Sequence, residues 1–368
     1  MSKWKKYRLG DAVEINKKSI DKTYPFEEIT YLDTGSITEG KIESLKYYKL
    51  NEAPSRAKRL VSNNDIIYST VRPIQRHYGF IENNKTDLIV STGFAVISAI
   101  EEKANPKFLY YLLSSDEVVN YLDSVAEGST STYPSLRPED LTLLEIVLPT
   151  LSEQTQIANI LSNLDDKIDL LHRQNKTLEQ LAETLFRQWF VEEAEESWEI
   201  GKLGDIAALL NGKSRPKEVE NGTIPIYGGN GVMGYTDKSN YSGISIIIGR
   251  VGAYCGSLYL ENKEIWVSDN ALLSRPKSEE SFYFLFYLFK SLNLNSMAEG
   301  SSHPLLTQTL LNSIKIVKPP DYKIFFFDFQ VKEFWNKIHK NTNQIHTLTQ
   351  LRDTLLPKLI SGEVRVNN

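Results

Sequence analysis

Three glycines, Gly229, Gly231 and Gly234, have the spacing of the loop that binds the pyrophosphate of a dinucleotide. They follow a plausible strand, "TIPIY", as that motif requires. A dinucleotide site also needs a helix that begins at the loop and an acidic residue about 20 positions later. The segment that follows here, "YTDKSNYSG", is typical of turns. The sequence therefore predicts a turn-rich loop rather than a nucleotide site.

Two further segments resemble motifs that hold ATP or a methyl acceptor. "AALLNGKS" at 207–214 is close to a phosphate-binding loop, but Ala207 replaces the glycine that permits the tight turn. "KPPDY" at 318–322 is close to the motif with which amino-methyltransferases hold an amine, but Lys318 cannot accept a hydrogen bond from it. We expect no ATP or methyl-transfer site, and we interpret "KPPDY" as a hinge before a helix, like "LPT" at 148–150.

The residues that could bind a metal or act as a nucleophile also lack the partner residues that such sites need. Glu261 and Lys263 form half of a nuclease pattern that occurs by chance in most chains of this size. The single cysteine, Cys255, excludes a disulfide framework and a cysteine zinc site. The histidines have no cysteine or carboxylate at ligand spacing; they are His77, His172, His303, His339 and His346. The sequence predicts no catalytic group, no bound metal and no cofactor in this chain.

Composition is that of an ordinary globular protein, with 41% hydrophobic and 24% charged residues among 368. The net charge of −5 argues against a uniformly basic nucleic-acid-binding surface. Charge is uneven, however, because "VEEAEESWE" at 191–199 is acidic while basic residues cluster elsewhere, at Arg56, Lys58, Arg59, Arg72 and Arg76. No apolar run of 18 residues and no secretory signal occurs in the sequence, so we expect a cytoplasmic protein.

The elements that must position any site occur twice. "LEQLAETLFRQWF" at 178–190 matches "LTQLRDTLLPKLI" at 348–360 with an offset of 170. Trp4 and the "LGD" that ends at Asp11 return as Trp198 and an "LGD" that ends at Asp205, and "AEGS" at 126–129 returns at 298–301. A duplicated unit explains this order. Short β-branched runs, glycine-rich turns and one helical patch in each copy predict two compact α+β heads.

Each head is followed by a predicted long helix with apolar residues spaced alternately by four and three. The seam positions of the first are Ile157, Leu161, Leu164, Ile168, Leu171, Asn175, Leu178, Ala182, Leu185 and Trp189. Those of the second are Phe327, Val331, Phe334, Ile338, Asn341, Ile345, Leu348, Arg352, Leu355 and Leu359. This spacing predicts a coiled coil of the two helices.

An antiparallel pair requires that the numbers of facing residues have a constant sum. When Asn175 faces Asn341 the sum is 516, and every seam position then faces another seam position. A buried asparagine pair fixes the register, because a slip would leave an amide against leucine. We therefore predict an antiparallel pair with Asn175 and Asn341 in one layer and Arg352 turned toward Asp165 or Asp166.

The duplicated head, "LPTLSEQTQIANILSNLDDKIDLL" after the first copy and "LRDTLLPKLISGEVRV" at the end resemble the specificity subunit of a type I restriction-modification system. Pro149, Glu153 and Gln154 carry the helix-start motif of that family, and "KLGD", "IIIGRVGAYCG" and "VSDNAL" are similar to other family segments. The second copy departs from the motif with "KIFFFDFQ", where only Gln330 is comparable to the glutamine.

The resemblance implies an α+β fold with two target-recognition domains joined by two long helices that form an antiparallel coiled coil with internal pseudo-two-fold symmetry. The expected segments are a first recognition domain at 1–149, a central helix at 150–197, a second recognition domain at 198–320 and a C-terminal helix at 321–368. Each domain would read one half of a bipartite double-stranded DNA sequence. The helical regions would bind two modification (methyltransferase) subunits, which carry S-adenosylmethionine, and restriction (translocase) subunits that use ATP and Mg²⁺ would join them.

Residues that read bases are expected on polar, turn-rich loops, because arginine matches guanine and asparagine or glutamine matches adenine. In the first head the candidates are Arg72, Gln75, Arg76, Ser129, Thr130 and Tyr133. In the second they are Lys213, Arg215, Asn230, Arg250, Tyr254, Ser302 and His303. Two alternatives stay open at this point: a coiled-coil adaptor with two protein-binding heads, and the DNA-recognition part of a larger single-chain restriction enzyme.

Overall fold

The computed structural model describes residues 4–21, 23–82, 87–128, 134–300 and 304–366. The chain forms two compact units, one of residues 1–170 with 345–368 and the other of residues 171–344. These units do not coincide with the four predicted segments, because each unit contains one head and part of both long helices. We call them the first unit and the second unit.

In the described residues, the first head has eleven short strands, then three α-helices and a last strand. Its strands are β1 (Lys5–Arg8), β2 (Val13–Ile15), β3 (Glu28–Leu32), β4 (Ile37–Thr38), β5 (Lys41–Ile42), β6 (Lys46–Lys49), β7 (Ala57–Leu60), β8 (Ile66–Ser69), β9 (Tyr78–Phe80), β10 (Leu88–Ser91), β11 (Phe94–Ala99) and β12 (Glu145–Leu148). Its helices are α1 (Pro106–Ser114), α2 (Asp116–Glu127) and α3 (Pro138–Thr142).

The strands of the first head form two four-stranded sheets, β2-β11-β8-β9 and β6-β3-β10-β7, with a two-stranded ribbon of β1 and β12. Strand β11 lies between β2 and β8 and pairs antiparallel with both. Its residues Phe94 to Ile97 are buried, as the continuous β-branched and aromatic run "FAVI" predicts for a central strand. Helices α1 and α2 contribute Phe108 and Leu122 to the core that contains Ala95 and Ile97 of this strand.

The first long helix, α4 (Leu151–Arg187), begins two residues after Pro149 and ends in a π-helical turn at Gln188–Glu192. The second head follows. Its strands are β13 (Glu199–Lys202), β14 (Ala207–Asn211), β15 (Ile224–Gly228), β16 (Gly231–Thr236), β17 (Ile244–Gly249), β18 (Leu258–Asn262), β19 (Trp266–Val267), β20 (Ala271–Pro276) and β21 (Lys315–Lys318). Its helices are α5 (Leu203–Ile206), α6 (Phe282–Ser291), α7 (Leu294–Met297) and α8 (Gln308–Ser313).

In the described residues, the second head repeats the two sheets and the ribbon of the first, with three strands instead of four in one sheet. Its sheets are β14-β20-β17-β18 and β16-β15-β19, with a ribbon of β13 and β21. Helix α9 (Asp321–Ser361) begins directly after Pro319 and Pro320, so "KPPDY" leads from the ribbon into a helix as predicted. The prediction of two similar α+β heads is confirmed.

The repeated Leu-Gly-Asp segment closes each head in the same way. Leu9 is fully buried and its backbone N–H donates to Leu144 O at 2.8 Å, while the Asp11 carboxylate accepts from the N–H of Arg8 at 3.0 Å. In the second head, the N–H of Leu203 donates to Ile314 O at 2.8 Å. The intervening glycines have no room for a side chain, because a Cβ on Gly10 would lie 2.9 Å from Thr142 Cβ.

The long helices pair antiparallel within each unit. In the second unit, the Trp189 ring lies 6.3 Å from that of Phe327, and the Asn341 amide donates to Asn175 Oδ1 at 2.8 Å. In the first unit, Arg352 Nη1 lies 3.0 Å from Asp165 Oδ1. Residue numbers therefore rise along α4 as they fall along α9, and every predicted seam position is buried or half-buried. The predicted antiparallel coiled coil is confirmed.

Candidate nucleic-acid interface

Three backbone segments meet at one end of the first head. The loop after β8 begins with Thr70, whose N–H donates to Gly93 O in the turn between β10 and β11, at 2.9 Å. The N–H of Arg72 donates to Pro134 O at 3.1 Å, and the N–H of Leu136 donates to Thr70 O at 2.7 Å. This loop is therefore attached both to a turn of the sheet and to the segment before α3.

The second head builds the same frame from different residues. The N–H of Arg250, directly after β17, donates to Asn270 O at 3.1 Å. The N–H of Gly252 donates to Pro304 O at 3.1 Å, and the N–H of Leu306 donates to Arg250 O at 2.9 Å. The bond from Arg72 to Pro134 thus corresponds to the bond from Gly252 to Pro304. Both heads present one loop of the same geometry at the corresponding edge.

The loop geometry requires a left-handed residue at this point. Gly252 has a φ of 66° and Arg72 a φ of 45°, which is disfavoured for a residue with a Cβ. A second left-handed residue, Arg76 with a φ of 57°, ends the first-head loop. Such backbone strain at non-glycine residues is concentrated at functional loops. Arg72 and Arg76 are therefore candidates for a functional role by their backbone conformation as well as by their charge.

The structure separates the first-head candidates into two groups. Arg72 and Gln75 are exposed. Arg76 is half-buried and lies between two carboxylates, with Nη2 at 2.6 Å from Asp116 Oδ1 and Nε at 3.7 Å from Glu39 Oε1. The hydrogen bond to Asp116 raises the pKa of the Arg76 guanidinium. Arg76 therefore anchors the loop, whereas the first two side chains face solvent. Ser129, Thr130 and Tyr133 lie outside the described residues.

Three second-head candidates come together. Asn230 is exposed at the two-residue turn between β15 and β16, and Tyr254 is 50% exposed on the loop after β17. A Cβ placed on Gly229 would lie 3.9 Å from Tyr254 Cβ, so the two turns are in contact. Arg250 is half-buried at the base of this loop, and its Nη1 donates to Asn211 Oδ1 at 3.4 Å.

The remaining second-head candidates are more dispersed. Lys213 is exposed and its N–H donates to Val267 O at 3.0 Å, beside β19. Arg215 donates to Met233 O at 2.8 Å and forms an ion pair with Glu218, so its guanidinium is already engaged. Ser302 and His303 lie outside the described residues, directly before Pro304.

The motif-like glycines form a hairpin. Residues 229 and 230 connect β15 to β16, and Gly231 and Gly234 have positive φ values of 80° and 152°. A strand rather than a helix follows the turn, so the helix that a dinucleotide site needs does not begin here. Glu261 accepts a hydrogen bond from Tyr227 at 2.6 Å and thereby raises the pKa of that buried phenol further than burial alone does. Within the described ranges, no three His, Cys, Asp or Glu side chains form a group that could hold a metal ion.

Sequence reasoning missed one pair of residues that share a structural position. Tyr47 on β6 stands opposite Thr30 of β3 and is 76% exposed. Tyr235 on β16 stands opposite Pro225 of β15 and is 50% exposed. Both tyrosines lie on edge strands of their sheets. Only the strand register reveals this correspondence, because the two segments have no common motif.

Across the part of the chain that the structure describes, no helix has both the length and the apolar composition that crossing a bilayer requires.

Known proteins share this architecture. The family model for the type I restriction modification DNA specificity domain matches residues 1–180 and 195–355. The specificity subunit of the type I restriction enzyme HindI from Haemophilus influenzae is 26% identical, over 99% of this chain and 100% of its own. The MjaIX specificity subunit from Methanocaldococcus jannaschii is 27% identical, over 99% and 89%.

A solved S subunit of a type I restriction-modification system from M. genitalium has the same fold, with a TM-score of 0.68 and 21% identity over 97% of this chain and 96% of that one. The two family matches cover both heads and most of both long helices. The chain therefore belongs to the type I restriction modification DNA specificity family, as a specificity subunit with two target-recognition domains.

Proposed function

We propose that the chain reads a bipartite sequence in double-stranded DNA, with one head for each half-site. The observation that carries this proposal is the repeated loop frame, in which the N–H groups of Arg72 and Gly252 bind corresponding carbonyls. Each frame supports exposed polar side chains, Arg72 and Gln75 in one head and Asn230 in the other. These side-chain types make bidentate hydrogen bonds to guanine and adenine in the major groove.

The chain acts as the non-catalytic part of a larger enzyme in the cytoplasm. Two modification subunits supply S-adenosylmethionine and methylate adenine, and restriction subunits supply ATP- and Mg²⁺-dependent translocation. The net charge of −5 supports such a division, because partners that clamp the duplex would neutralise most of the phosphates. A methyltransferase must extrude its target base from the helix, so the heads would hold the DNA while the partner flips the adenine.

Mapping of methylated adenines in host DNA tests the half-site assignment. Replacing Arg72 and Gln75 with alanine should relax one half of the methylated sequence, and replacing Asn230 and Tyr254 should relax the other. Each lost bidentate contact is expected to cost about 1–3 kcal/mol of discrimination. Exchange of residues 1–149 for another first head should likewise alter one half only. Variants that scramble both halves would contradict the proposal.

Activity assays of the purified chain test the non-catalytic role. Alone, the chain should show no methyltransfer, ATP hydrolysis or DNA cleavage, and a gel shift should strengthen when the modification subunit is added. Turnover by the chain alone that a point substitution in it abolishes would contradict this role. DNA binding that is absent even with the modification subunit would favour an adaptor with protein-binding heads.

A further inference from the structure

Both heads support the loop after β8 or β17 with a turn of the same construction. Ser91 and Ser268 begin this turn, and their hydroxyl oxygens accept from the N–H of Gly93 at 3.2 Å and of Asn270 at 3.4 Å. The carbonyl oxygens of Gly93 and Asn270 then accept from the loops that carry the base-reading candidates. We call this segment of each head the frame turn.

A basic residue lies beside the frame turn in each head. In the first head, Arg56 O accepts from the N–H of Thr92 at 2.8 Å, and the next residue, Ala57, pairs with Ser91. In the second head, Lys213 itself forms a β-bridge with Ser268. Both basic side chains are exposed. Each frame turn therefore has a cation at the same place.

The two basic residues come from segments of opposite direction. Arg56 directly precedes β7, which pairs antiparallel with β10. Lys213 lies two residues after β14, and its bridge to Ser268 is parallel. A position inherited from one ancestral repeat would keep the direction of its chain. The same charge has thus reached the same place from two different segments, which indicates a function rather than a requirement of the fold.

The side chains themselves do not hold the frame turn together. The hydrogen bond between Arg56 and Thr92 joins backbone groups, and so does the bond from the N–H of Lys213 to Val267 O. In the part of the chain that the structure describes, neither basic side chain forms an ion pair, whereas Arg215 does. Both cations are therefore available to a partner.

The presence of this charge in both heads restricts what it binds. Each head reads its own half-site, so a feature common to both heads must recognise what every DNA sequence has, which is the sugar-phosphate backbone. A guanidinium and an ammonium differ in shape and share their positive charge and N–H donors. A phosphate binds either of them, because it needs no particular donor geometry.

We propose that Arg56 and Lys213 each bind a DNA phosphate beside the half-site that their head reads. This inference rests on the proposed function, which supplies the DNA. Arg56 becomes a DNA contact that the search for polar loops did not select, and Lys213 becomes a phosphate ligand rather than a base reader. The two contacts hold the duplex against the frame turns, so that Arg72 and Asn230 on the adjacent loops reach base edges.

The test measures DNA affinity of the complex of the full chain with its modification subunit, by fluorescence anisotropy at several salt concentrations. Arg56→Ala with Lys213→Ala removes both charges and keeps the backbone hydrogen bonds. Lys49→Ala with Lys238→Ala is the matched control, because it changes the net charge equally. Lys49 pairs with Glu28 at the start of β3 and Lys238 follows the end of β16, so both exposed control residues lie at the opposite end of the sheet from the frame turn.

The alanine pair at the frame turns should reduce the slope of log K against log salt concentration by about 2, or about 1 for each lost phosphate contact. It should weaken binding about tenfold at moderate salt and leave the methylated sequence unchanged. The control pair should retain the wild-type slope. Arg56→Lys with Lys213→Arg should also retain it, because a phosphate accepts from either cation.

Three results would overturn the inference: an unchanged slope in the frame-turn alanine pair, an equal loss of slope in the control pair, or a relaxed half-site in the methylated sequence. A loss of slope in the charge-retaining exchange would do so as well, since it would assign the contact to side-chain geometry. A wild-type complex that binds all DNA sequences alike and methylates none would instead overturn the proposed function.

Discussion

The two units hold corresponding helices together by different chemistry. Tyr111 and Tyr287 are each the sixth residue of their helix, α1 and α6. In the first unit the hydroxyl of Tyr111 donates to Asp165 Oδ2 of α4 at 2.7 Å, and Arg352 of α9 binds the other oxygen of that carboxylate at 3.0 Å. Burial raises the pKa of the Tyr111 phenol, and the adjacent Asp165 raises it further.

In the second unit the same layer is aromatic. The position of Asp165 is taken by Trp335 and that of Arg352 by the fully buried Ala182. The Trp335 ring stacks on Tyr283 at 6.3 Å and meets the edge of Phe286 at 5.7 Å. A charge network and an aromatic cluster therefore fill equivalent space. The repeated backbone fixes the space that this layer fills and the direction of its side chains. It does not fix whether the contact is ionic or aromatic.

The N-termini of α1 and α6 also bind different groups. In the first unit two neutral amides bind the backbone at the start of α1. Gln154 Oε1 accepts from the N–H of Asn105 at 2.8 Å, and Asn105 Oδ1 accepts from the N–H of Phe108 at 3.0 Å. In the second unit a carboxylate does this, since Asp328 of α9 accepts from the N–H groups of Tyr283 and Phe284 at 2.9 and 2.7 Å. Burial raises the pKa of Asp328 to about 7.

The largest expected consequence of this difference is a pH dependence confined to the second unit. The folded-state pKa of Asp328, about 7, exceeds the unfolded value of 3.8. The stability that this group contributes is thus fully present below pH 4 and is lost as the pH rises through 7. Relative to an Asp328→Asn variant, the wild type should lose on the order of 4 kcal/mol between pH 4 and pH 8.

Hydrogen exchange of the α6 amides at several pH values measures this loss in the second unit. The α1 amides serve as the internal control, because Gln154 does not titrate. Parallel pH profiles for the wild type and the Asp328→Asn variant would show that the carboxyl group has no such role.

A second difference is how the chain beyond each long helix packs against its own unit. In the first unit Arg365, which follows α9, forms two hydrogen bonds of 2.5 and 2.8 Å with the buried Glu153. Its guanidinium also lies 5.4 Å from the centre of the Trp4 ring. In the second unit, α4 continues covalently into Trp198. Arg365→Ala should therefore destabilise the first unit by about 3 kcal/mol, because it leaves a buried carboxylate unpaired.

Thermal melts and hydrogen exchange of α1 should show this loss, and a Glu153→Gln, Arg365→Ala double variant should recover part of it. An Arg365→Ala variant as stable as the wild type, or one that destabilises the second unit equally, would remove the contrast between the two closures.

The charge network of the first unit should have a smaller effect, because the Asp165 and Arg352 side chains are both 33% exposed. Asp165→Ala should cost about 2 kcal/mol, mainly through the buried Tyr111 hydroxyl that loses its acceptor. A double-mutant cycle with Tyr111→Phe isolates that bond by urea denaturation. Trp335→Asp makes the converse change in the second unit, where Ala182 offers no cation, and it should destabilise more than Asp165→Ala does. Equal costs would mean that the two layers are interchangeable.

The smallest expected effect concerns the asparagine layer. Asn341 is fully buried and donates to Asn175 Oδ1 at 2.8 Å and to Gln174 Oε1 at 3.1 Å. That this pair sets the register stays a prediction. Replacing both asparagines with leucine should change stability by about 1 kcal/mol or less while permitting other registers.

Cysteines placed at Leu178 and Ile338, which face each other when residue numbers sum to 516, report the register by disulfide formation. The wild-type background should cross-link fully, and the leucine variant only in part, because other registers move the two cysteines apart. Full cross-linking in both backgrounds would assign the register to the apolar seam alone.

Several features could be derived from the sequence because they depend on local periodicity. The offset of 170 revealed the repeat, and alternate spacings of four and three predicted both long helices with their antiparallel register. The placement of Arg352 beside Asp165 followed from the same register. Prolines at 149, 319 and 320 marked the places where each head leads into a helix. Such signals lie within one helix or recur at a fixed distance, so no knowledge of packing is needed to find them.

The candidate site was predicted less completely. Polar, turn-rich composition selected Arg72, Gln75, Asn230 and Tyr254, which the structure places exposed on loops. The same criterion selected Arg215, which pairs with Glu218. Composition cannot show which acceptor an arginine side chain meets, because the pairing depends on which loop lies beside it.

Contacts between segments that are distant in sequence were decided only by the tertiary structure. The Gln154 motif suggested Gln330 as its counterpart, yet Gln330 is exposed and Asp328 caps the second head helix. Glu153 belongs to the same motif, but its partner Arg365 lies 212 residues away. Either unit also closes only when parts of both long helices pack on one head. The seam pattern shows which side of a helix is buried, while the three-dimensional packing of the chain determines which residue meets it there.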